Sequence, residues 1–100
     1  MEEYDVKIFP AAQDDLRNIA DSLKELSAAQ AAQYFELITD AAASLKTAPE
    51  SRPLARDSQF RLRGYRTLPL NEYIAFYSLN GKTVELRRIV FAHRQYEGLM

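Results

Sequence analysis

The apolar positions change their period near residue 10, and this change predicts a strand followed by a helix. Residues 4–9 alternate well enough for a short strand, which Pro10 ends. From residue 11 onward the apolar side chains recur at helical spacing, at Ala12, Leu16, Ile19, Ala20 and Leu23. Such a stripe is typical of an amphipathic helix that packs on a core.

A second helix is predicted over residues 28–46, with Ser27 as its N-cap. Its apolar stripe is Ala31, Phe35, Ile38, Ala42 and Leu45. On this pattern Tyr34 and Phe35 are expected to be core aromatics. Because the connection around Ser27 is tight, the two helices should form an antiparallel hairpin.

The second half of the chain is expected to be extended. Residues 47–57 contain two prolines and no periodicity, which indicates a loop. Three segments rich in β-formers follow, over residues 60–68, 72–79 and 83–92. The pair Asn80-Gly81 predicts a two-residue hairpin loop that would set Leu79 opposite Lys82 and Tyr77 near Val84.

These elements predict one α+β domain over residues 1–100, in the order β-α-α-β-β-β. In this arrangement the helical hairpin packs on one face of a small antiparallel sheet. The chain is too short for a second packed core.

Composition narrows the possible chemistry. Apolar residues make up 47% and charged residues 27% of the chain, which is typical of a globular domain. The absence of cysteine excludes disulfides and thiolate metal sites, and a single histidine argues against a histidine-built site. We therefore expect no metal and no cofactor. The apolar runs are too short for a membrane span, and the acidic start is unlike a signal peptide, so a cytoplasmic location is expected.

Charge is divided unevenly along the chain. Residues 1–50 carry four basic and ten acidic side chains, a balance of −6, whereas residues 51–100 carry nine basic and four acidic ones, a balance of +5. Eight of those nine basic residues are arginines, whose planar guanidinium groups suit phosphates and carboxylates. The division suggests a face for a polyanion or an acidic partner, or else two halves that neutralise each other within the fold.

Several short motifs occur in order along the second half. They are Gly64-Tyr65-Arg66, Tyr73-Ile74-Ala75-Phe76-Tyr77, Val84-Glu85-Leu86-Arg87-Arg88-Ile89 and Ala92-His93-Arg94-Gln95-Tyr96. Over about residues 4–100 the chain resembles the RelE/ParE superfamily of toxins from type II toxin–antitoxin modules. The resemblance implies a cognate acidic antitoxin, a toxin–antitoxin hetero-oligomer and growth arrest of the kind that stabilises plasmids.

The resemblance leaves the mechanism open between two branches. RelE-like toxins enter the ribosome and cut mRNA, whereas ParE-like toxins inhibit DNA gyrase without catalysis. Our interpretation of the sequence leans towards ribosome-dependent mRNA cleavage. The alternatives are a gyrase inhibitor and a decayed toxin that still binds its antitoxin.

For mRNA cleavage, the resemblance assigns a phosphate-binding role to three arginines. Arg61 and Arg63 flank one residue and would share a side of the predicted strand, and Arg94 follows the last strand. His93 or Tyr96 would serve as the general acid or base.

Two positions depart from the RelE-like pattern. Ile74 stands where RelE-like enzymes carry a strand arginine, and their distal C-terminal tyrosine is missing because the chain ends at Met100. These departures motivate the gyrase alternative.

Three further arginines, Arg66, Arg87 and Arg88, are candidates for contacts with RNA or a protein partner. Arg87 and Arg88 are adjacent and should point to opposite faces of a strand. Alternatively, Arg88 pairs with an acidic residue of the helical hairpin and is purely structural.

The antitoxin is expected to cover two surfaces. An acidic segment would lie over the arginines 61, 63 and 94, and apolar side chains would pack against the helical hairpin.

Overall fold

The computed structural model describes residues 3–70 and 72–91 of the chain. The elements are β1 (Asp5–Ile8), α1 (Pro10–Leu26), α2 (Ala28–Ser44), a 3₁₀ turn (Pro49–Ser51), α3 (Ser58–Leu62), β2 (Arg66–Leu70), β3 (Tyr73–Asn80) and β4 (Thr83–Phe91). The predicted order of a strand, a helical hairpin and three strands is confirmed, with the short helix α3 added before β2.

The four strands form one open mixed sheet in the order β1-β4-β3-β2. β2, β3 and β4 are an antiparallel meander. β1 joins the sheet parallel to β4, from the pair Asp5–Thr83 to the pair Ile8–Leu86. The first and last strands of the chain are therefore neighbours, and the helical hairpin that follows β1 packs over one face of the sheet.

Local signals set the ends of the two long helices. Pro10 occupies the first turn of α1, where its fixed φ suits the helix. Its lack of an N–H costs no hydrogen bond there, because amides in the first turn have no intrahelical acceptor. The Ser27 hydroxyl accepts hydrogen bonds from the amides of Ala29 at 3.1 Å and Gln30 at 3.3 Å. The prediction of Ser27 as the N-cap of the second helix is confirmed.

The main core lies between the helical hairpin and the sheet. Its buried residues are Ala12, Ile19, Leu45, Leu70, Ala75, Tyr77, Val84, Leu86 and Ile89. α2, which the structure describes throughout, contains no fully buried residue and reaches this core through half-buried side chains, among them Tyr34, Leu37, Ile38 and Ala41. α1, in contrast, contributes the buried residues Ala12 and Ile19.

The prediction that Phe35 is a core aromatic is wrong, because its side chain is 72% exposed. The inward stripe of α2 passes through Tyr34, Leu37, Ile38 and Ala41 and leads to Leu45 just beyond the helix. Phe35 lies outside this stripe. Because α2 contains many alanines, the predicted stripe through Phe35 and the observed stripe through Tyr34 were hard to distinguish in the sequence.

The prediction of a strand that begins at residue 60 is also wrong. The Asp57 carboxylate caps α3 by accepting from the amides of Gln59 and Phe60. Gly64, at φ 76°, ends the helix, and the amides of Gly64 and Tyr65 donate to the carbonyls of Arg61 and Phe60. This is a Schellman ending, which a residue able to adopt positive φ makes favourable.

A second, smaller core lies on the other face of the sheet, beneath the segment that contains α3. Its buried residues are Ala55, Phe60, Tyr65, Phe76 and Val90, with Ile74 packed against them. The rings of Phe60 and Phe76 meet edge-on with their centroids 4.7 Å apart. α3 therefore covers part of the sheet face that does not carry the helical hairpin.

The β3–β4 hairpin differs from prediction by a shift of the turn. Asn80 pairs with Thr83 and Leu79 with Val84, so the loop is Gly81-Lys82 rather than Asn80-Gly81. Gly81 takes φ 60° as the first loop residue, as a type II′ turn requires.

A β-bulge interrupts the pairing of β3 with β4. Tyr77 pairs with Leu86 and Phe76 pairs with Arg88, which leaves Arg87 as the extra residue. Because of the bulge, Leu86 and Ile89 both face the main core although they are three residues apart. Without it, strand alternation would place them on opposite faces.

Candidate functional site

The predicted pair Arg61 and Arg63 does not share one side of a strand, so that prediction is wrong. Arg61 lies in α3, where its Nε donates to the Ala55 carbonyl at 3.1 Å, and Arg63 is the C-cap of the same helix. Residues two apart on a helix do not face each other. Both side chains are exposed at the rim of the second core rather than on the open sheet.

Arg66 is engaged with the loop that precedes α3. Its Nη1 donates to the Arg52 carbonyl at 2.6 Å, while Arg52 Nε donates to the Thr67 carbonyl at 3.1 Å. This reciprocal pair of bonds ties the loop to β2 and covers that edge of the sheet. Arg66 therefore has a structural role, whatever partner its remaining donors meet.

Tyr77 anchors the same loop from beneath. Its side chain is fully buried, and its hydroxyl donates to the Pro49 carbonyl at 2.6 Å. Burial raises the pKa of Tyr77 to about 12, against the opposing effect of Arg52 and Arg66. The phenol is consequently neutral at physiological pH and holds its hydrogen bond.

The predicted pairing of Arg88 with an acidic residue of the helical hairpin is confirmed. The Arg88 Nε and Nη2 donate to the two carboxylate oxygens of Asp15 at 2.8 and 3.1 Å. This hydrogen bond raises the pKa of Arg88 above its usual value, with burial acting in the opposite direction. The same carboxylate accepts the Ile89 amide at 2.9 Å.

Arg87 is held on the sheet face opposite the hairpin. Its Nη2 donates to the Glu85 carboxylate at 2.9 Å and its Nε to the Ser78 hydroxyl at 3.1 Å. The guanidinium carbon lies 4.1 Å from the centroid of the Phe9 ring and 5.8 Å from that of Tyr65. Arg87 is therefore fixed by a carboxylate on one side and an aromatic ring on the other.

Three predicted site residues, His93, Arg94 and Tyr96, lie outside the described residues. Within residues 3–70 and 72–91, no three acidic or histidine side chains gather closely enough to hold a metal ion. In the same part of the chain, neither long helix has the length and hydropathy that crossing a bilayer requires.

An apolar groove lies on the outer side of the helical hairpin. The sequence alone did not reveal its geometry. The groove encloses about 650 Å³ between α1 and α2. Its lining is mostly apolar, from Leu16, Ala20, Ala28, Ala31, Ala32, Tyr34, Phe35 and Ile38, with Arg17 and Lys24 on α1. The signal available in the sequence was the run of small residues in α2 beside a large aromatic residue.

Comparison with known proteins identifies the family. The family described as "ParE toxin of type II toxin-antitoxin system, parDE" matches residues 6–96, nearly the whole chain. The chain belongs to the ParE toxin family. It is accordingly the toxin of a type II toxin–antitoxin system. No curated protein sequence matches the chain.

Two solved structures share the ParE-like fold of this toxin. One is the chromosomal ParDE system from P. aeruginosa, at a TM-score of 0.75 and 21% identity, covering 90% of this chain and 97% of that one. The other is the toxin–antitoxin complex RelBE2 from Mycobacterium tuberculosis, at a TM-score of 0.60 and 21% identity, covering 89% and 98%. The first is described as a ParDE toxin–antitoxin system and the second as a toxin–antitoxin complex.

Proposed function

We propose that this toxin arrests growth by inhibiting DNA gyrase without cleaving RNA. The observation that carries the proposal is Ile74, which stands where RelE-like enzymes carry a strand arginine. The Ile74 side chain packs against the second core, on the sheet face opposite the helical hairpin. An apolar side chain there supplies neither charge nor a hydrogen bond to a scissile phosphate.

The engagement of the other arginines supports the same proposal. Arg88 is paired with Asp15 and Arg87 with Glu85, so neither guanidinium is free of a carboxylate. Arg61 and Arg63 lie on α3 and its cap, away from the sheet strands. RNA cleavage needs a cation at the phosphate together with a positioned acid and base, and the described residues do not present such a set.

Ribosome-dependent mRNA cleavage is the second candidate. It rests on the excess of arginine in residues 51–100 and on Arg94, His93 and Tyr96 as the phosphate ligand and the acid–base groups. These three roles remain predictions. For this function Arg61 and Arg63 would have to act from the rim of the second core.

Two assays separate the candidates. Purified toxin at micromolar concentration is expected to block gyrase supercoiling or to trap gyrase on cleaved DNA, and antitoxin added first should prevent this. Primer extension on mRNA from induced cells should show intact transcripts. Codon-phased cuts together with unimpaired supercoiling would overturn the gyrase proposal and favour the RNase.

The antitoxin is proposed to occupy the outer groove of the helical hairpin. The groove is apolar and contains the exposed Phe35, while Arg17 and Lys24 offer charge to an acidic segment. An amphipathic helix with apolar side chains on one face and acidic ones at its border matches this surface. Arg61 and Arg63 remain candidate contacts for the rest of the antitoxin.

A further inference from the structure

A polar recess lies where the connection between α1 and α2 meets the start of β3. It encloses about 490 Å³ and is lined by Leu23, Gln30, Gln33, Tyr34, Glu72 and Tyr73. Tyr34 also lines the outer groove of the hairpin, so the recess and the groove are neighbours. Unlike the groove, the recess presents amide and carboxylate groups.

Aromatic rings form one side of the recess. The ring of Tyr34 meets that of Tyr73 edge-on, with centroids 5.1 Å apart and planes at 64°. Tyr73 in turn meets Phe91 edge-on at 5.5 Å. The faces of such rings carry negative partial charge and attract cations.

The polar groups of the recess are rich in acceptors. Glu72 is exposed and forms no ion pair with any described residue, and no described lining residue is basic. The Tyr34 hydroxyl is buried and finds no hydrogen-bond partner among the described residues. Burial and the nearby Tyr73 raise the pKa of Tyr34, so this phenol is neutral and adds no charge to the recess.

We propose that this recess binds an arginine side chain of a protein partner, which pairs with Glu72 and lies against the tyrosine rings. A guanidinium group is planar, carries five N–H donors and stacks on aromatic faces. A carboxylate would be repelled by Glu72, and an apolar side chain would leave the acceptors unmet. The proposal goes beyond gyrase inhibition, since it does not depend on the toxin's cellular target.

Binding is tested by titrating the ¹⁵N-labelled toxin with N-acetyl-arginine amide. We expect saturable shifts of the amide resonances of residues 30, 33, 72 and 73 at millimolar ligand. N-acetyl-lysine amide should bind at least fivefold more weakly, because an ammonium group lacks the planar fork. N-acetyl-norleucine amide should cause no saturable shift at these residues.

Matched variants locate the contact. Glu72→Gln should weaken the arginine probe at least fivefold, whereas Glu36→Gln, the same charge change at an exposed position of α2, should not alter binding. The two variants carry the same charge change, so a difference between them reports the position of the contact rather than the net charge.

Equal binding by Glu72→Gln and Glu36→Gln would overturn the proposal, as would a norleucine probe that shifts the same resonances equally. These titrations contain neither gyrase nor antitoxin. Their failure is therefore distinguishable from failure of the proposed function.

Discussion

Asp15 in α1 and Arg88 in β4 are joined by two hydrogen bonds, although 73 residues separate them in the sequence. β1 pairs with β4 only as far as Leu86, and the Asp15 carboxylate accepts the Ile89 amide just beyond that point. Beyond the end of β1, the Asp15 carboxylate thus supplies the hydrogen-bond acceptor for an amide of β4. It joins the first helix to the last described strand, and the side chains of the pair are only 15% and 20% exposed.

Asp15→Ala should lower the free energy of unfolding by about 3 kcal/mol, because a partly buried guanidinium loses its compensating carboxylate. Urea denaturation of the purified toxin measures this. Asp14→Ala is the control, since the Asp14–Arg17 pair is 67% and 69% exposed and should contribute less than about 0.5 kcal/mol. Equal losses in the two variants would contradict the assigned role of Asp15.

Ala48→Gly should stabilise the toxin by about 0.5–1 kcal/mol. Ala48 follows α2 with φ 49° and ψ 47°, a left-handed conformation that strains a residue with a Cβ and suits glycine. Ala43→Gly, in the exposed side of α2, should destabilise by about 1 kcal/mol and is the matched control. A loss of stability in both variants would show that Ala48 is not strained.

Alkaline pH should destabilise the toxin through its buried tyrosines. Since burial raises the pKa of Tyr77 to about 12 from an ordinary value of 10.0, the unfolded chain loses this proton first as the pH rises. The stability due to the neutral phenol is fully present below pH 10 and is lost towards pH 12. Between these two pH values the free energy of unfolding falls by up to about 1.4 kcal/mol per pH unit for each such tyrosine.

Tyr77→Phe isolates this effect. Near pH 8 the variant should be less stable by about 1–2 kcal/mol, because the Pro49 carbonyl loses its donor. The difference from the wild type should narrow between pH 10 and pH 12, since phenylalanine does not titrate. A difference that stays constant over that range, measured by chemical denaturation at each pH, would reject the assignment.

Phe35→Ala should weaken the complex with the antitoxin about tenfold while leaving the stability of the toxin within about 0.5 kcal/mol. The side chain is 72% exposed and lines the outer groove, so it contributes more to an interface than to the fold. Isothermal titration calorimetry measures the affinity. Glu36→Ala, an exposed neighbour that is not among the groove residues, is the control and should bind as the wild type does.

The double charge reversal of Arg61 and Arg63 should weaken antitoxin binding by on the order of 2 kcal/mol or more if those contacts are desolvated. Both residues are exposed at the end of α3, but the reversal also removes the Arg61 hydrogen bond to the Ala55 carbonyl, so the thermal midpoint of the variant is measured alongside the affinity. Reversal of Lys46 and Lys82, beside the start of β1, changes the net charge equally and should have a smaller effect. Binding as tight as that of the wild type would exclude this surface as the antitoxin's site.

Elements with strong local signals could be predicted, and those whose signals conflict could not. Ser27 was identifiable because a capping hydroxyl acts on amides two and three residues away. The segment around α3 carried equally local signals, in Asp57 and Gly64, but its alternating apolar residues favoured a strand. α3 has only five residues, which are too few to show a helical period that would outweigh the alternation.

Candidate site residues were identifiable by type but not by environment. The sequence indicates that arginines dominate residues 51–100, yet it does not reveal that Arg87 lies against Phe9 or that Arg88 meets Asp15. The spacing of Leu86 and Ile89 does not fit strict alternation, and it is a trace of the bulge at Arg87. Such a trace has no unique interpretation before the partner strand is known.

The sequence by itself determined the helical hairpin and the antiparallel meander, because each depends on periodicities, caps and turn residues that act within a few residues. It also carried the family resemblance, through the order and spacing of short motifs. Only the tertiary structure decided the parallel pairing of β1 with β4, the outward position of Phe35 and the engagement of each arginine. Those features arise from contacts between segments far apart in the chain, where the energy of a pair depends on burial and geometry rather than on residue type.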